Sequence, residues 1–92
     1  MRYVWDSLKD AENRRKHNLG LEDGIEALND PNIEYWIDDV NNYGEIRDIT
    51  LGMSRFGILI VVSTLRANDL TRIISVRKAD KNEKSWYYHG RP

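Results

Sequence analysis

Cysteine is absent from this 92-residue sequence, proline and histidine occur twice each, and phenylalanine once. Without thiols there is no disulfide, no thiolate nucleophile and none of the common structural zinc sites, so packing alone has to stabilise the fold. Long apolar runs are missing as well. The longest, Ile58 to Val62, is far short of the roughly 20 residues a membrane helix needs. Met1-Arg2-Tyr3-Val4-Trp5-Asp6 meets charge before the apolar stretch of a signal peptide can form. The expectation is a cytoplasmic protein with no membrane association.

What is present suits one compact domain spanning residues 1–92, since a chain of this size buries about 60 to 70% of the surface its unfolded form exposes. Hydrophobic residues make up 40% and charged residues 32%, a balance typical of globular rather than disordered chains. The net charge is only -1, which taken alone speaks against a nucleic-acid binder. The distribution tells more. Residues 1–20 hold five Lys or Arg against three acids and residues 66–92 hold seven against three, while residues 21–45 carry eight acids and no base. Such segregation creates a local positive field that the sum conceals; chance clustering on a small surface is the plainer reading.

Arg2 to Trp5 has the content of a short strand. Asp6 sits where an N-cap belongs, opening a helix to about His17 with Trp5, Leu8 and Ala11 as its inward anchors. Arg14, Arg15 and Lys16 complement the negative end of that helix, and Asn18 suits the left-handed residue that ends it. Leu21, Gly24, Ile25 and Leu28 form the stripe of a second helix ending before Asp30-Pro31. Residues 31–45 are ambiguous: Ile33 to Ile37 has strand character and Asn41-Asn42-Tyr43-Gly44 is a turn signal. Ile49, Leu51 and Met53 then alternate as in a half-buried strand, Ile58 to Leu65 reads as a central strand, and a loop at Ala67 to Leu70 leads into a strand over Thr71 to Val76. A closing helix is expected over Ala79 to about Tyr88. The predicted class is α+β, an antiparallel sheet packed with helices in the order β-α-α-β-β-β-α.

His17 is the histidine inside a structured stretch, whereas His89 lies near a terminus expected to fray. One imidazole without cysteines makes a poor metal centre, but it can move a proton near neutral pH; a surface or capping role is the plainer alternative. Arg66, Arg72, Arg77 and Lys78 recur in the last third, with Glu83 and Tyr87 beyond them. Pairing of Arg66 with Thr71 puts Arg66, Ser75 and Arg77 on one sheet face and Arg72 on the other, unless a bulge intervenes. Guanidinium groups on a sheet face suit a phosphodiester, and solvated strand charge that blunts aggregation is the alternative. Trp86, Tyr87 and Tyr88 either stack bases or pack the last helix. The acidic run reads as a solvated face rather than a metal site, with carboxylates able to attract a basic partner protein.

The blocks WDSLKDAENRRKH at 5–17, DP at 30–31, GEIR at 44–47, Gly52, VVSTLR at 61–66 and RIISVRKADKNEKSWY at 72–87 together resemble the BrnT toxin family across nearly the whole chain. That resemblance implies a RelE-like fold and a type II toxin that cleaves RNA and arrests translation and growth. It also implies neutralisation by a BrnA-type ribbon-helix-helix antitoxin in a 2:2 heterotetramer, with operator DNA contacted only through the antitoxin. Position by position it carries over Trp5, Asp6, Lys9, Asn13, Lys16, His17, Glu45, Arg47, Arg66, Arg72, Ser75, Arg77, Ala79, Glu83 and Tyr87. Asn18 stands where the family usually has glycine. Cleavage through the RNA's own 2′-hydroxyl needs a base, an acid and cations but no cofactor and no metal. The expected catalytic set is His17 as proton carrier, Lys16, Arg66, Arg72 and Arg77 for phosphate charge, and Glu83 or Tyr87 as second proton carrier or substrate positioner; Lys9, Asn13, Arg47, Ser75 and Lys78 are the expected RNA contacts. Two alternatives stand beside this: a degenerate toxin acting only as antitoxin partner and corepressor, and a plain interaction domain.

Overall fold

The computed structural model describes residues 1–38 and 44–92; three residues of the Asn41 to Gly44 turn signal lie outside the described residues. The elements are β1 (Arg2–Val4), α1 (Ser7–His17), a 3-10 turn (Leu21–Asp23) running into α2 (Gly24–Leu28), β2 (Glu34–Asp38), β3 (Arg47–Ser54), β4 (Gly57–Arg66), β5 (Leu70–Lys78) and α3 (Lys81–His89). The expected α+β class holds, with one strand added: β2 forms within the ambiguous connection because Tyr35, Trp36 and Ile37 pair with Thr50, Ile49 and Asp48 of β3. His89 also differs from expectation, lying in the last turn of α3.

Among the described residues five strands form one mixed sheet in the order β1-β5-β4-β3-β2, with β1 parallel to β5 and every other pair antiparallel. Cross-strand partners share a face, so the register sorts the side chains. Leu59, Val61, Ile73 and Val76 point to one side, where they pack with Leu19, Leu21 and Ala27 under α1 and α2. Leu51, Ile58, Ile60 and Ala79 point to the other and pack with Trp36, Ile49, Trp86 and Tyr87 around α3. Gly52 lets α2 approach β3: a Cβ there would lie 2.1 Å from the Ala27 carbonyl oxygen.

Asp6 caps α1 as expected, accepting from the backbone N–H of Leu8 and Lys9 at 2.7 and 3.1 Å. Asn18 ends the helix at φ 57°. The expected anchors differ. Trp5 is half-buried, but Leu8 is 81% exposed and Ala11 is exposed too. The only buried residue of α1 is Asn13, because this helix lies along the edge of β5 instead of seating an apolar stripe. β1 pairs with β5 only at Leu70 to Arg72. Further along, the Asn13 amide takes over, donating through Nδ2 to the Val76 carbonyl at 2.9 Å and accepting at Oδ1 from the Val76 N–H at 3.0 Å. A side-chain amide thereby completes the sheet edge.

The β4–β5 register corrects the expected hairpin. Arg66 pairs with Leu70, not Thr71, and the register slips by one between Val62 and Ser63, leaving Ile74 without a partner. This bulge shifts the alternation. Arg66, Arg72 (opposite Thr64), Ser75 (opposite Val62) and Arg77 (opposite Ile60) all share the α3 face, so Arg72 is not on the opposite side.

Candidate functional site

Lys9, Glu12, Asn13, Lys16 and His17 recur at spacings of three, four and one, which places them on one stripe of α1. With α1 fixed to the β5 edge by Asn13, that stripe meets the sheet. Together with Arg47 of β3 and Ile74 and Ser75 of β5 it lines an open hollow of about 290 Å³. Three permanent cations and an imidazole face one carboxylate there. Lys16 Nζ lies 2.6 Å from Glu12 Oε1, and this hydrogen bond, aided by the lysine charge, holds the Glu12 carboxyl below the usual range. The Arg47 side chain is only 17% exposed and its Nη2 lies 3.6 Å from Glu45 Oε1. A largely buried guanidinium, with exposed ammonium groups and an imidazole beside it, can hold a phosphodiester and exchange a proton with it.

A second hollow of about 300 Å³ lies beside the first, lined by Val4, Trp5, Asp6, Arg66, Leu70 and Arg72. The Asp6 carboxyl is held low chiefly by the backbone N–H groups of Lys9 and Leu8, and more weakly by the charges of Lys9 and Arg72. Lys9 therefore stands between the two hollows.

The remaining expected residues are engaged near α3. Arg77 donates from Nη1 and Nη2 to the two Glu83 oxygens, each at 2.8 Å. Glu83 is buried and also accepts from the Asp80 N–H at 2.9 Å, while Asp80 accepts from the Glu83 N–H at 2.9 Å. This is a reciprocal capping box at the start of α3. Arg77 first, then the Asp80 N–H, outweigh burial and keep Glu83 ionised below the usual carboxylate range. The Tyr87 hydroxyl donates to Asp30 Oδ2, which pushes the phenol up to about 12. Burial acts to raise Asp30, but the hydrogen bonds from Tyr87 and from the Met53 and Asn32 N–H groups outweigh it and leave the carboxyl lowered. Trp86 meets Trp36 edge to face at 5.8 Å, so the closing aromatics pack the helix. Lys78 is exposed at the end of β5 opposite Leu59, on the other face.

Of the residues expected from sequence, Lys9, Asn13, Lys16, His17, Arg47 and Ser75 share one hollow and Arg66 and Arg72 share the next. Arg77, Glu83 and Tyr87 are held in hydrogen bonds around α3. Glu12 and Ile74 were not singled out. The one-stripe spacing of Glu12 with Lys16 was the available signal for the first, whereas the second depends on the bulge. Among the described residues no group of three or more His, Cys, Asp or Glu side chains is arranged to hold a metal ion, and no helix is long and apolar enough to cross a membrane.

The fold and the hollow define a class: a small α+β protein with a cationic, imidazole-bearing surface suited to a polyanion. Residues 5–83 match the family model of the ribonuclease toxin, BrnT, of type II toxin-antitoxin systems, and the chain belongs to that family. No curated protein sequence matches it. Membership makes it a ribonuclease toxin by family and implies a protein antitoxin as its partner.

Proposed function

We propose that this protein is an endoribonuclease toxin that cleaves RNA without a metal, through attack of a 2′-hydroxyl on the adjacent phosphorus. The observation carrying this reading is the gathering of His17, Lys9, Lys16, Arg47 and Ser75 around one hollow. In the reaction the 2′-oxygen loses its proton and bonds to phosphorus, and the bond from phosphorus to the 5′-oxygen breaks. The departing oxygen takes up a proton, leaving a 2′,3′-cyclic phosphate and a 5′-hydroxyl. His17 carries a proton, and Glu12, kept ionised by Lys16, is the carboxylate in reach of the same hollow. Arg47 binds a phosphoryl oxygen as a fixed donor pair, Lys9 and Lys16 offset the charge that grows in the transition state, and Ser75 orients the backbone. Arg77, Glu83 and Tyr87 act indirectly in this reading, by holding α3 and the end of β5.

The same reading makes the protein a single-domain cytoplasmic toxin of RelE-like type that inhibits translation and growth. A BrnA-type ribbon-helix-helix antitoxin neutralises it in a 2:2 complex and carries it to operator DNA. The segregated charges support such a partner: the basic hollow and the acidic segment over residues 21–38 offer two surfaces of opposite sign.

Incubating the purified chain with RNA in EDTA tests the chemistry. The expected products end in 2′,3′-cyclic phosphate and 5′-hydroxyl. Cleavage that appears only after adding a divalent cation would remove metal independence. RNA left uncut by a chain that still binds its antitoxin would make it a corepressor without catalysis.

A further inference from the structure

The reaction hollow does not account for Arg66 and Arg72. Among the described residues, Arg14, Lys16, Arg47, Arg55 and Arg77 all have carboxylate partners, and Arg66 and Arg72 do not. The two guanidinium groups nevertheless share a face, since their cross-strand partners Leu70 and Thr64 do, and both line the hollow walled by Val4, Trp5 and Leu70. Like charges side by side repel each other, and an arriving anion relieves that repulsion. The carboxylate in the lining of this hollow, Asp6, is committed to the Leu8 and Lys9 N–H groups of its own helix and is only weakly coupled to Arg72.

We infer that the Trp5–Arg66–Arg72 hollow is a second subsite, binding the phosphate and base of a nucleotide that flanks the scissile bond in single-stranded RNA. The inference rests on the reading of the neighbouring hollow as the reaction site. Continuity favours RNA as the occupant. The bulge at Ile74 brings Arg72 onto the face that carries Ser75, and Lys9 lies between the two hollows. At the rise of a strand, Arg72 and Ser75 are about 7 to 10 Å apart along β5, a spacing suited to successive phosphates rather than to two oxygens of one. Arginine holds a phosphate through paired donors, and an indole wall accepts any base by stacking, so the subsite reads backbone and length rather than sequence.

The prediction is a substrate of more than two nucleotides, with affinity gained at the flanking position. The test uses fluorescein-labelled RNA with 2′-O-methyl groups throughout, which cannot be cut by its own hydroxyl, as a dinucleotide and as a hexanucleotide. Binding is followed by anisotropy as salt rises. The wild-type chain should bind the hexamer more tightly than the dimer. R66Q/R72Q should lose about tenfold on the hexamer, with a salt slope shallower by about 1, since each phosphate contact on a single strand contributes roughly 0.7. The dimer should bind as before, and R66K/R72K should retain most of the slope. Equal losses on dimer and hexamer would put both arginines in the reaction hollow and overturn the subsite. An unchanged hexamer would overturn it too, as would a loss confined to antitoxin binding, which would make the patch a protein contact. Because these probes are not cut, their binding is independent of whether the chain cleaves RNA at all; a chain that binds them as predicted and leaves natural RNA intact would refute the reaction and keep the subsite.

Discussion

The two ends of one sheet face spend the same residue types differently. Near α3, Arg77 is locked to Glu83 and Tyr87 to Asp30, and the ring of Trp86 lies against Trp36. Near α1, Lys9, Arg66 and Arg72 form no close ion pair with a carboxylate among the described residues, and His17 stands exposed on the rim. Arginine alone therefore says nothing of role. A guanidinium that shares two hydrogen bonds with a buried carboxylate is already satisfied, whereas one without a partner keeps its donors for a ligand.

Mutation can break or sharpen that contrast. The largest effect belongs to the open end: His17→Ala should lower the cleavage rate by about a hundredfold or more, as expected for loss of a proton carrier, with the urea unfolding midpoint unchanged. At the closed end the order should reverse. Arg77→Met should cost about 2 kcal/mol in urea unfolding, because Glu83 stays buried without its fork of donors. If Arg77→Met cuts as poorly as His17→Ala while folding normally, the contrast collapses.

Tyr87→Phe should cost about 1.5 kcal/mol, the value of a hydrogen bond to a charged group, and should alter the alkaline limb of stability. The tyrosine is raised from 10.0 to about 12 in the fold, so its contribution is fully present below pH 10 and is lost as pH rises through about 12. Unfolding measured across that window should be flatter in the phenylalanine variant. Glu83 works in the opposite sense. Its folded value is depressed below 4.5, so its contribution is present above that pH and lost as acid titrates the folded carboxylate; Glu83→Gln should flatten the acid limb. The smallest effect is Lys16→Gln, whose exposed pair with Glu12 should change stability by less than about 0.5 kcal/mol.

Local chemistry was legible from sequence. Asp6, Asn18 and the stripe Leu21, Gly24, Ile25 and Leu28 announced α1 and the segment leading through α2, because caps and periodicity act over a few residues. The central strand β4 was legible from its unbroken apolar run. Contacts between distant residues were not. Asn13 reads as an ordinary polar residue until Val76, 63 positions away, supplies the backbone it completes; for the same reason Leu8 and Ala11 were mistaken for anchors. β2 stayed ambiguous in the sequence, with strand character over Ile33 to Ile37, because its edge position leaves Tyr35 and Ile37 exposed and blurs the pattern that marks a strand. Asp80 and Glu83 carry capping-box spacing, a local signal for the start of α3. As for the site, the helical stripe containing His17 was visible, but its meeting with Arg47 and Ser75 depends on how α1 lies along β5.

The unpaired Ile74 acts on the strand as a frameshift acts on a message: one inserted unit, and everything read before it changes phase. Pairing Ile74 in the ladder on paper would set Arg72 opposite Leu65, on the layer that holds Leu59 and Val61, and would cut the basic strip in two. Whether Ile74 bulges or pairs thus sets the width of the surface offered to an incoming strand.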